Sequence, residues 1–152
     1  DCTQAMAYSE RAMRLAPGDL YARNFDVIIA LFCGEFDRAV DVAKPAIGTS
    51  ALSERLVFRN AAAAAEFHRG NFNETIEIYT AAINSGAPVG ALTLAYLAAA
   101  HSKLGREQEA HRNIELLKEA WPDFDLEQFL LAVFVDPGNA SELISVLKRL
   151  GW

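Results

Sequence analysis

The chain has 152 residues, about half of them apolar, and a formal net charge of −6. This is enough for one domain with a real core and excludes a disordered chain. The acidic balance disfavours binding to nucleic-acid phosphates, no apolar run reaches the ~18–20 residues of a membrane span, and no Lys/Arg-rich amphipathic face suggests membrane docking.

Leu, Ala, Glu and Arg dominate and β-branched residues are scattered, so the chain reads as helical almost throughout. In chain order the expected helices are 3–16, 20–33, 36–47, 53–69, 72–85, 90–104, 107–120, 126–134 and 140–150. They are separated by breaks at Pro17-Gly18, Gly34, Gly48-Thr49-Ser50, Gly70, Ser85-Gly86-Ala87-Pro88, Gly105, Pro122 and Pro137-Gly138. Asp19 is placed to cap the second helix. Asn71 with Glu74, Asp125 with Gln128 and Asn139 with Glu142 have the spacing of a reciprocal capping box.

The pattern repeats. Gly34, Gly70 and Gly105 are spaced 36 and 35 residues apart. Two residues after them come Phe36, Phe72 and Glu107; five after, Ala39, Thr75 and Ala110; twelve after, Ala46, Ala82 and Leu117; seven before, Val27, Ala63 and Ala98. Pro17, Pro88 and Pro122 follow the second helix of their units. Glycine makes the tight turn between two antiparallel helices, small residues mark where helix backbones approach, and the aromatic fills the wedge between pairs. Ala5 and Ala12 fit the same register, so the chain is expected to begin with the second helix of a unit and to be a piece of a longer protein.

These turns ("GEF", "GNF"), the small residues, Tyr79 and the prolines resemble the tetratricopeptide repeat family, whose consensus is W-x2-L-G-x2-Y…A-x3-F…P. No Trp opens a unit, and Thr75 and Leu117 stand where alanine is usual. The resemblance implies an all-α solenoid, a right-handed superhelix of helix-turn-helix pairs. It comprises a half unit 1–17, units of about 18–51, 52–88 and 89–123, and capping helices over 124–152. Pentatricopeptide repeats share the length but bind RNA and tend to be basic, which the acidic charge opposes. The tail, with Phe134, Asp136, Pro137, Leu143, Leu147 and Gly151, is similar to the end of bacterial chains that join a tetratricopeptide module to an adenylate/guanylate cyclase domain or a winged-helix DNA-binding domain.

In this family the first helices of successive units line a concave groove that holds extended peptides. The resemblance places Asn24, Ile28, Leu31, Asn60, Ala64, Phe67, Ala95, Ala99 and Ser102 there. Asn24 and Asn60 recur in register, each after an arginine, Arg23 and Arg59. A side-chain amide can pair with a peptide main chain as both donor and acceptor; the alternative is that both bond neighbouring helix residues. The carboxylate-clamp positions of chaperone-binding members hold Ile28, Ala64 and Ala99, so a chaperone partner is not expected.

No catalytic, cofactor or metal signature is present. His68, His101 and His111 form no ligand pair, and Glu74, Glu77, Glu107 and Glu109 read as solvated or capping carboxylates. Cys2 and Cys33 are too few for a disulfide framework; two reduced thiols are the favoured reading, with a bridge between them the lesser one and a cytoplasmic location implied. The expected function is a non-catalytic protein-interaction or regulatory module, part of a multidomain bacterial signalling protein. The alternative is a stand-alone scaffold that binds an extended peptide. The partner is a protein or peptide, and Met6 and Met13 on the first helix allow a homodimer.

Overall fold

The computed structural model describes residues 1–49 and 52–152. Among them the chain is all-α, with no strand and nine helices: α1 (Cys2–Leu15), α2 (Leu20–Cys33), α3 (Phe36–Thr49), α4 (Leu52–His68), α5 (Phe72–Asn84), α6 (Ala91–Lys103), α7 (Glu107–Ala120), α8 (Leu126–Val133) and α9 (Pro137–Arg149). Order and number follow the sequence expectation, and the ends move by a few residues. The helix α3 runs through Gly48 to Thr49; the remainder of the expected break, Ser50, and the unit boundary at Ala51 lie outside the described residues.

Capping chemistry accounts for several ends. The Asp19 carboxylate accepts from the N–H groups of Tyr21 and Ala22 at 2.7 and 3.2 Å, and Asp125 accepts from that of Gln128 at 2.8 Å. Two expected caps are corrected. Asn71 makes no side-chain cap; its amide donates instead to Glu66 at 2.7 Å, because a buried carboxylate is the stronger acceptor. Asn139 lies inside α9, which starts at Pro137 with Asp136 accepting from the Gly138 N–H at 2.8 Å, since proline tolerates the first helical turn.

Consecutive helices pack on one another from α1 to α7, and α2 touches α4 while α4 touches α6, so these three lie side by side. Ala39, Ala46, Ala63, Ala98 and Ala110 are fully buried. At Ala63 the approach is close enough for the Thr75 hydroxyl to donate to the Ala63 carbonyl at 3.1 Å, which is why threonine substitutes for alanine there. Gly70 takes φ 81°, with Gly34 and Gly105 at 83° and 71°, the left-handed conformation that a side chain resists. Two buried carboxylates tie helices together. Asp26 accepts from Ser9 at 2.5 Å and from Arg38 at 2.6 Å, and Arg38 also meets Glu10 at 2.7 Å. Glu66 is held by Lys44 at 2.7 Å and Arg69 at 3.0 Å. Burial pushes the Glu66 carboxyl up, but the Asn71 amide and the Lys44 ammonium reverse this and hold it below its ordinary value.

The cysteines depart from the favoured reading. Cys2 and Cys33 form a disulfide, with Cα atoms 5.7 Å apart. Because α1 and α2 are packed neighbours joined by a short turn, the start of α1 lies beside the end of α2.

The tail does more than cover the last helix pair. The Val135 N–H donates to the Phe32 carbonyl at 3.0 Å, at the end of α2. The Phe134 ring meets Phe32 edge-on at 5.4 Å and His68, at the end of α4, at 5.2 Å. Glu142 pairs with Lys103, at the end of α6, at 2.5 Å, and Lys118 of α7 donates to the Gly151 carbonyl at 2.6 Å.

Candidate functional site

Between the faces of α2, α4 and α6 and the returning tail lies a cavity of about 650 Å³. Each helix contributes one turn of side chains at helical spacing: Ile28, Leu31 and Phe32 from α2; Asn60, Ala61 and Ala64 from α4; Ala91, Leu92, Thr93 and Tyr96 from α6. The small side chains of Ala61 and Ala64 leave the space that the larger residues of α2 and α6 surround. Pro88, Val89 and Gly90 form a rim ahead of α6, and Tyr79 of α5 closes the floor. Trp121, Phe124, Phe129 and Leu130 make the opposite wall.

Among the described residues, no Asp, Glu, Lys, Arg or His lines the cavity. The Tyr79 hydroxyl donates to the Asn60 carbonyl at 3.3 Å, and the Tyr96 hydroxyl pairs with His68 Nε2 at 3.0 Å. Burial raises the pKa of both tyrosines, so both hydroxyls stay protonated and neutral. The side chain of Asn60 is exposed and makes no hydrogen bond among the described residues. Such a surface can hold an apolar group and orient one polar end.

The sequence-derived groove residues divide into two sets. Ile28, Leu31, Asn60 and Ala64 come together on the cavity wall. Asn24 lies one turn before Ile28 on the same helix face, its side-chain oxygen buried without a hydrogen-bond partner. Phe67 is fully buried against His68, Phe72 and Tyr96. Ala95 and Ala99 are fully buried, and the Ser102 hydroxyl lies 3.5 Å from Glu107. The paired arginines are occupied at loops: Arg23 donates to the Pro17 carbonyl at 3.1 Å and Arg59 to the Ser85 hydroxyl at 2.7 Å. The aromatic wall from the tail was not anticipated as part of a site. The aromatic residues Phe124, Phe129 and Phe134 of the tail, with Trp121 just ahead of them, are the sign of it in the sequence.

Beside the cavity, His68 is enclosed by rings. Phe36 stacks on it at 4.6 Å, and Phe67, Tyr96 and Phe134 meet it edge-on at 5.5, 5.7 and 5.2 Å. Burial pushes its pKa down to about 4, with Glu142 pulling weakly the other way. Among the described residues no group of three or more His, Cys, Asp or Glu is placed to hold a metal, and no helix is long and apolar enough to cross a membrane. The chain matches no family model, no curated protein and no solved structure.

Proposed function

We propose that this chain is a non-catalytic interaction and regulatory module, a tetratricopeptide-type solenoid in which α2 with α3, α4 with α5 and α6 with α7 are the repeat pairs. The side-by-side packing of α2, α4 and α6 and the left-handed glycine in each pair's turn support this reading. The observation that carries the function is an apolar stripe on α2. Tyr21, Phe25 and Ile28 recur at helical spacing, Tyr21 and Phe25 are 76% and 63% exposed, and Ile28 reaches the cavity rim. An apolar partner segment laid on this stripe would meet Asn24 and Asn60, whose amides suit main-chain recognition. Its parent would be a signalling protein carrying a cyclase or winged-helix domain; a stand-alone peptide-binding scaffold is the alternative, and the domains of the full-length chain separate the two.

The test is the pair Asn24→Ala with Asn60→Ala, measured by calorimetric titration of partner peptides and by thermal melting. Weaker binding at a nearly unchanged melting temperature supports the reading; a large drop in melting temperature assigns both residues to the fold instead. Self-association is a second reading, favoured by the exposed Tyr8 and Leu15 of α1; a monomer by sedimentation at high concentration removes it. The Cys2–Cys33 bridge favours an oxidising compartment over the cytoplasmic placement that free thiols would imply.

A further inference from the structure

We propose that the cavity between α2, α4, α6 and the tail is a receptor site for one compact, uncharged, mostly apolar small molecule. The proposal goes beyond partner docking and stands whether or not a protein binds the α2 stripe. Three features select this ligand class. The first is size: about 650 Å³ falls within the ~300–1,000 Å³ typical of small-molecule pockets. The second is charge. With no ionised side chain among the described residues of the wall, a charged ligand would lose its hydration without gaining a counter-charge from them, and the net charge of −6 further disfavours anions. The third is shape. The Val135–Phe32 hydrogen bond and the Phe134 ring cross the end of α2, so an extended peptide cannot run the length of the face past the tail. What remains is a blunt-ended recess walled by aromatic rings, with the unengaged Asn60 amide at its edge to meet one polar group.

The experiment uses the whole chain with the bridge intact and a neutral aromatic probe, N-phenyl-1-naphthylamine, followed by fluorescence. Saturable one-to-one binding is expected. Leu92→Trp, which projects a larger ring from the cavity wall, is expected to weaken it by at least about tenfold. Ala61→Leu, which fills the recess from α4, provides a second reading should Leu92→Trp melt early. Leu116→Ala, on the exposed side of α7 away from the cavity, is expected to bind like the parent chain. The proposal is overturned if the parent shows no saturable binding, or if the folded filling variants bind as well as the parent. It is also overturned if the anionic analogue 8-anilinonaphthalene-1-sulfonate competes at equal affinity, since the site would then not discriminate charge.

Discussion

The enclosure of His68 makes a quantitative prediction about acid. The unfolded chain takes up the proton at the ordinary 6.5, whereas the folded chain resists it down to about 4 because burial opposes the charge. Between those values the unfolded state binds more protons, so stability falls as the pH falls. The contribution is fully present above 6.5, drains away towards 4 and changes no further below it. Each pH unit across that window is worth ~1.4 kcal/mol, so lowering the pH from 7 to 5 is expected to cost about 2 kcal/mol. Urea melts followed by far-ultraviolet circular dichroism at several pH values between 7.5 and 5 measure this directly. In His68→Gln the slope is expected to shrink. His101, whose pKa burial also lowers, leaves a weaker remainder of the same sign. Glu66 acts in a lower window, because a carboxyl held below its ordinary 4.5 loses its contribution only as the pH falls past that value. If the parent and His68→Gln lose the same stability between pH 7 and 5, the histidine is not shielded and the reasoning fails.

Further outcomes follow from the packing. Reducing the Cys2–Cys33 bridge releases a loop with a sequence separation of 31; the loop-entropy estimate is roughly 3–4 kcal/mol, visible as a lower urea midpoint for Cys2→Ala with Cys33→Ala. An unchanged midpoint would mean that α1 contributes nothing to the cooperative unit. Ala63→Leu forces bulk into the α4–α5 crossing, where Ala63 is fully buried, and is expected to cost ~1–3 kcal/mol in the same assay. Arg38→Met strands the buried Asp26 carboxylate, 1% exposed, and is expected to cost about 3–5 kcal/mol, with part of the loss recovered by adding Asp26→Asn.

The helices were legible because their signals are local. Glycines near positions 34, 70 and 105 and the small residues around them fix turns and crossings within a single pair of helices. Caps were less legible, because Asn71 had a better partner in Glu66, five residues away on the preceding helix, than in its own backbone. The disulfide depended on which ends of α1 and α2 meet, a tertiary fact that two cysteines do not reveal. The candidate site was half visible. Ile28, Leu31, Asn60 and Ala64 follow from the repeat register, but Ala95 and Ala99 occupy equivalent positions and are buried. The opposite wall comes largely from a tail that no repeat pattern describes.

That tail alters how the molecule comes apart. A stack in which each helix pair meets only its neighbours behaves as a one-dimensional chain of units, free to fray from either end. Here Val135 and Phe134 reach back to Phe32 and His68, far earlier in the sequence, while Glu142 holds Lys103 in between. Loss of α8 and α9 would uncover the ends of α2 and α4, and loss of α2 would remove the tail's anchor. The early and late helices thereby depend on one another, through contacts that join residues far apart in the sequence. Its amides should exchange in one global opening instead of a gradient from the termini, and its folding should be slower than local helix pairing alone would allow.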